Sequence, residues 1–164
     1  MMNVESISLL IDTNVWLDVL IPSRSGHATA TDLLRVAVQH DYQLLYPVRI
    51  LADVYYMVRH EAKEYLRSGK GTLSEADARA CNDHAWDCIE NMRELACAVG
   101  ADESDVWLAA KYRSLHNDLE DDFVFAAAQR VRPTYLISSD KTLVRKAPVA
   151  ALSPADALTL LREG

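Results

Sequence analysis

The chain has 164 residues, 50% hydrophobic and 25% charged, with a formal net charge of −7: enough for one well-buried core and short for two, so a single domain over residues 1–164 is expected. The acidic balance argues against nonspecific binding to a phosphate backbone, which draws its affinity from released counterions, but not against a nuclease whose acids bind metal. No apolar run approaches the roughly 18 residues that cross a bilayer and the amino terminus lacks signal-peptide features; Cys81, Cys88 and Cys97 form no CxxC pair, so a cytoplasmic protein with reduced thiols is expected.

The first element, residues 7–14, reads ISLLIDTN. A short apolar run bounded by polar residues fits a central parallel strand, and Asp12 falls at its carboxyl end, where open α/β sheets bind ligands. Asp12 also suits the N-cap of a helix starting near Thr13, a role contributing about 1 kcal/mol. Residues 15–20 continue as a short helix stopped by Pro22, and residues 23–27 make a turn. Thr29 or Thr31 opens a helix to about His40, with Leu33, Leu34, Ala37 and Val38 on one face. Residues 43–46 form a second strand closed by Pro47, so a βαβ crossover is expected.

Residues 48–67 return to helical spacing, with Ile50, Val54, Met57, Val58 and Tyr65 as the apolar stripe. Asp53 lies at its edge and needs a positive partner, either Arg49 four residues earlier or a bound cation. His60 and Lys63 extend that edge as contacts for a phosphate backbone or as part of a solvated mixed-charge face. SGKGT at residues 68–72 is a loop without phosphate-binding spacing. Ser74 then opens the longest helix, with Asp77 as its capping-box partner. Its stripe of Cys81, Ala85, Cys88, Met92, Leu95 and Val99 includes two cysteines, and Cys97 falls in the same predicted helix. A brief strand is expected at residues 98–101, then a helix over 104–115 with Val106, Trp107, Ala110 and Leu115 facing inward.

Residues 117–122, NDLEDD, are the densest acidic stretch. Asp118 is a good N-cap and Asp121 sits one turn away, but so many acids exceed what capping requires, and their repulsion is relieved by a cation. Asp118 is assigned to the cap and, secondarily, to the site as an additional acid; Asp121 is assigned to the site. The strand at 134–138, TYLIS, delivers Asp140 after Ser139, repeating the opening pattern on the same rim of a parallel sheet. Residues 141–146 form a short helix and 149–152 an edge strand. Ser153 and Pro154 start a terminal helix through Leu161.

Asp12 in LLIDTNVWLD, Asp53 in PVRILADVYYMV, Asp121 in NDLEDDFVFAAA and Asp140 in YLISSDKTL resemble, in order, the four acidic motifs of the PIN-domain family, over about residues 6–161. The resemblance implies a three-layer α/β/α sandwich around a parallel sheet, with Rossmann-like topology. It implies a metal-dependent endoribonuclease, as in the VapC toxins of toxin–antitoxin pairs, giving a 5′-phosphate and a 3′-hydroxyl. Mg²⁺ or Mn²⁺ suits such a carboxylate set. On this reading Asp12, Asp121 and Asp140 hold the principal ion, and Asp53 completes the site beside a second ion or by orienting water. Asn14 and Ser138 hold the carboxylates, and Arg49, His60 and Lys63 are the substrate-contact candidates.

The family's second acid is usually Glu, so Asp53 reaches one methylene less far, and residues 68–85 are long for a minimal member. RNA, a cognate antitoxin and a second copy through the apolar faces near Val54 or Met92 are the expected partners, with no membrane. The alternative is a catalytically weak or inactive scaffold binding RNA or a protein. A receiver domain and a haloacid-dehalogenase-type phosphatase fit poorly, because Asp12 has neither an adjacent acid nor a DxD pattern.

Overall fold

The computed structural model describes residues 6–163. Residues 1–5, on which the expectation about a signal peptide partly falls, lie outside it, as does residue 164. Five short strands, β1 (Ser8–Ile11), β2 (Gln43–Pro47), β3 (Cys97–Val99), β4 (Tyr135–Ile137) and β5 (Ala151–Leu152), form one sheet in the order β3-β2-β1-β4-β5. Every pairing is parallel, with Leu9 opposite Leu44 on one side and Tyr135 on the other. Strands this apolar are covered on both faces, because a parallel sheet needs helical crossovers.

Alternate strand residues divide the core into two layers. Leu9, Ile11, Leu44, Tyr46 and Ile137 face one cluster. It is closed by α1 (Thr13–Leu20), α2 (His27–Gln39), α3 (Ile50–Lys70), α4 (Glu75–Leu95) and α8 (Pro154–Glu163). Leu10, Leu45 and Leu136 face the other, under α5 (Glu103–Tyr112), α6 (Leu119–Val131) and α7 (Lys141–Lys146). The chain is thus a three-layer α/β/α sandwich. Its connections run from β1 out to β3 and then cross back over the opposite face to β4. The strand order therefore reverses beside β1, and the carboxyl ends of β1 and β4 diverge there into a crevice.

Two start signals hold as expected: Ser74 and Asp77 form a reciprocal capping box on α4, and Ser153 Oγ accepts from Asp156 N–H at 3.1 Å. Others shift. Helix α2 starts at His27 with Gly26 at its N-cap, rather than at Thr29 or Thr31. Helix α3 runs through Lys70 into SGKGT and stops at Gly71, whose φ of 81° suits a residue without Cβ.

The inward face expected for residues 104–115 is turned around. Val106, Trp107 and Leu115 are 51%, 68% and 45% exposed, and α5 buries Asp105, Ala109 and Tyr112 instead. The cause is an ion pair: Arg130 Nε donates to Asp105 Oδ1 at 2.8 Å, while Asp105 Oδ2 accepts from Asp102 N–H at 2.7 Å. On α3, Met57 and Tyr65 face outward, and on α4 Leu95 does, because a pair of long packed helices needs only a narrow buried stripe. Cys97 lies exposed on β3, outside the helix assigned to it, and all three cysteines are free. Val54 and Met92 are fully buried in the monomer, so neither serves as the dimer face expected of them. Among the described residues no helix is long and apolar enough to cross a membrane.

Candidate active site

Asp12 follows β1 directly, and its backbone N–H still pairs with Ile137 O of β4 at 3.0 Å. Its side chain is buried at the N-cap of α1, so the cap and site readings describe one residue: Oδ1 accepts from Thr13 N–H at 2.7 Å and Oδ2 from Ser138 Oγ–H at 2.7 Å. Burial pushes the Asp12 carboxyl from 3.8 up to about 6, against the lowering effect of the Ser138 and Thr13 bonds. The charges of Asp121 and Asp140 add to the rise. A buried carboxylate pressed by two others is in the setting that a cation relieves.

Ser138 is the joint of the crevice. It is fully buried, donates to Asp12, and accepts from Asp140 N–H at 3.1 Å. One hydroxyl thus fixes the acids that follow β1 and β4. Asp140 caps α7 as well, its Oδ1 accepting from Thr142 and Leu143 N–H at 2.7 and 3.0 Å. Asp18 supports the same rim from α1: its carboxylate accepts from Arg24 Nε at 2.7 Å and from Ser139 Oγ–H at 3.3 Å.

The third edge is the start of α6. Asp118 is its N-cap, accepting from Asp121 N–H at 3.1 Å. Asp121 points inward, and burial raises its carboxyl. A hydrogen bond from His116 opposes that rise, while Asp118 and Asp140 add to it. His116 Nε2 lies 2.6 Å from Asp121 Oδ2, a partner without helical spacing and so invisible in the sequence. Glu120 is the acid that sequence reasoning passed over. Desolvation raises its carboxyl, helped by the charges of Asp53, Asp12 and Asp118, and it lines one cleft with Asp53. The excess of acids over capping needs was its signal. Asp122 turns away, buried with Oδ1 unpartnered.

Asp53 is exposed on the first turn of α3 and joins the others through Glu120. Its expected ion pair with Arg49 is absent among the described residues; the Arg49 guanidinium lies 3.6 Å over the Phe123 ring. Asn14 is exposed and makes no side-chain hydrogen bond to these acids among the described residues. His60 and Lys63 sit farther along α3, outside the lining of the cleft beside Asp53.

Among the described residues no three His, Cys, Asp or Glu side chains converge closely enough to hold an ion as they stand. The donor chemistry fits a hard divalent ion nonetheless. Mg²⁺ keeps most of its water and binds through one or two carboxylates, and the Thr13 hydroxyl, buried beside Asp12, has no hydrogen-bond partner, an orphan that a hydrated ion satisfies.

A model of the PIN domain matches residues 8–142, and no curated protein matches the chain in sequence. Several solved structures share the fold. VapBC2 from Rickettsia felis, bound to a promoter DNA fragment, superposes with a TM-score of 0.63 at 8% identity over 90% of this chain and 98% of that one. PAE2754 from Pyrobaculum aerophilum gives 0.62 at 13% identity over 96% and 97%. VapC20 from Mycobacterium tuberculosis, a sarcin-ricin-loop-cleaving toxin, gives 0.62 at 11% identity over 87% and 97%.

Proposed function

Because the chain belongs to the PIN-domain family, whose members are generally nucleases, we propose that it is a divalent-metal-dependent endoribonuclease and the toxin of a toxin–antitoxin pair. The observation that carries the reading is Asp12, a carboxylate buried at the switch point of the sheet with Asp121 and Asp140 close enough to raise it further. Asp12, Asp121 and Asp140 would hold the ion, with Asp53 and Glu120 completing the acidic wall and Asp118 keeping mainly to its cap. When bound, Mg²⁺ or Mn²⁺ polarises the scissile phosphate and acidifies a water molecule.

The chain's own residues do the rest. Ser138 keeps Asp12 and Asp140 in register with each other. His116 orients Asp121, leaving its other oxygen free. Asp53 accepts a hydrogen bond from the attacking water and aligns it with the phosphorus. Arg49 meets the RNA, and the positions of His60 and Lys63 make theirs an outlying contact with its backbone.

The proposal includes a single domain, a cytoplasmic location, a cognate antitoxin and association with a second copy. The VapBC2 neighbour is a toxin–antitoxin complex bound to DNA, which supports looking for an antitoxin here. Cleavage of a mixed single-stranded RNA pool in Mg²⁺, Mn²⁺ or EDTA, with Asp12→Asn and Asp121→Asn as controls, tests the chemistry. Metal-dependent cutting lost in both variants is the expected result. Growth arrest on expression, abolished by Asp12→Asn and relieved by a small neighbouring-gene product, tests the biology. The spacing of the acids favours one second reading, an RNA- or protein-binding scaffold without catalysis; it predicts a folded protein that neither binds Mn²⁺ nor cuts.

A further inference from the structure

We infer that the cleft between the first turns of α3 and α6 is a subsite for one unstacked base of single-stranded RNA, held next to the phosphate to be cut. Its place in the reaction rests on the nuclease reading above; its chemistry rests on the cleft. The cavity, about 360 Å³, has an apolar floor of Ile50, Phe123 and Val124 and a polar rim of Arg49, Asp53 and Glu120. That volume is at the small end of ligand clefts, which run about 300–1,000 Å³, and suits one nucleotide rather than a duplex segment. Glu120 on its rim feels the charges of both Asp53 and Asp12, which sets the cleft next to the acidic crevice.

Three features select a base over a phosphate. The Arg49 guanidinium packs 3.6 Å from the Phe123 centroid, and Arg49 is itself exposed, so its outer face presents a flat cationic platform already fixed from below. Sequence-specific RNA recognition stacks splayed bases on aromatic rings and guanidinium planes. Leu119, 69% exposed on the first turn of α6, gives the platform an apolar wall that water covers poorly. Glu120 on the rim repels a phosphate placed in the cleft, but it accepts hydrogen bonds from the amino groups of adenine, cytosine or guanine. Uracil, which lacks an amino group, fits less well. Arg49 has no acid within ion-pair distance among the described residues, so its guanidinium N–H groups remain available to the ribose and phosphate of the same nucleotide.

The test uses a random single-stranded RNA pool in which adenine is partly replaced by fluorescent 2-aminopurine, titrated in Mg²⁺ with Asp12→Asn protein so that cleavage does not intrude. Binding is expected to quench the fluorophore. Adding Arg49→Ala is expected to remove the quench and weaken binding at least about fivefold, the low end for losing one stacked base. Arg49→Lys, which keeps the charge and loses the plane, should recover the salt-dependent part of the affinity without the quench. Arg59→Ala, elsewhere on α3, should change neither.

Unaltered quench and affinity in Arg49→Ala, full recovery in Arg49→Lys, or no RNA binding at all would overturn the subsite. Cleavage by proteins with Asp12 intact separates the two claims. Cutting with Arg49-independent binding and unchanged base preference leaves the nuclease and removes the subsite. Arg49-dependent quenching without any cutting removes the nuclease and leaves the subsite.

Discussion

Replacing Asp12 by Asn should make the metal-free protein more stable while abolishing its activity. The carboxyl is held at about 6 against an ordinary 3.8, chiefly by burial. Such a rise corresponds to about 3 kcal/mol of destabilisation once the group is ionised. Asn retains the acceptor for Thr13 N–H but not the one for Ser138 Oγ–H, a loss of about 1 kcal/mol. The net gain is about 2 kcal/mol, or about 4–8 °C in Tm for a chain of this size.

The sign fixes the pH dependence. Because the folded-state pKa is raised, the penalty is absent below 3.8, grows as pH rises, and is complete above about 6. Thermal unfolding of parent and variant in EDTA should therefore differ fully at pH 8; at pH 5 about half the penalty remains, which after the constant hydrogen-bond loss leaves about a third of the difference. Mg²⁺ should then stabilise the parent by about 2.7 kcal/mol at 100 times its Kd, raising its Tm, and leave the variant unmoved. Equal Tm values at pH 8 in EDTA, or a less stable variant, would refute the strained-carboxylate account.

Ser138→Ala removes the hydroxyl joining Asp12 to Asp140 and should weaken the metal dependence of activity about 10- to 100-fold, read as the Mg²⁺ concentration for half-maximal cutting; an unchanged midpoint counts against the joint. Gly26→Ala would place a Cβ 2.2 Å from Asp18 Oδ2, a group pinned by Arg24 and Ser139. It should cost about 1–3 kcal/mol in urea unfolding, and no loss means the turn yields freely. Arg130→Ala strands the buried Asp105 and should cost about 2–3 kcal/mol, less than a fully buried pair because Arg130 is partly exposed. Asp105→Asn should recover part of that loss, and no recovery would place the cost elsewhere.

What was legible in the sequence was local. The runs ending in Asp12 and Asp140 could be read as buried parallel strands because both faces are apolar, and the Ser74 and Ser153 starts because a cap is made within three residues. Asp12 and Asp140 could be placed on one rim because parallel strands share a carboxyl end, whereas Asp53 and Asp121, on helices, joined them only through the resemblance to the PIN-domain motifs. What escaped depends on partners far along the chain. The orientation of α5 follows from an ion pair to α6, not from its own apolar pattern. Arg49 was matched with Asp53 by helical spacing, whereas the fold brings it over Phe123. His116 and Glu120 carry no periodic signal, and their roles come from side chains the fold brings to the start of α6, Asp121 beside His116 and Asp53 and Asp12 near Glu120.

The Ser138–Asp12 bond joins residues 126 apart in sequence, and this has a consequence for how the protein is made. β1 is the central strand, yet one of its two neighbours is β4, which leaves the ribosome only after the first six helices. Until then Asp12 has no hydroxyl to orient it, Asp140 is absent, and the exposed edge of β1 awaits its partner. A nascent chain therefore carries an incomplete site throughout most of its synthesis. By topology alone, the acidic crevice is assembled only late in the synthesis of the chain that carries it.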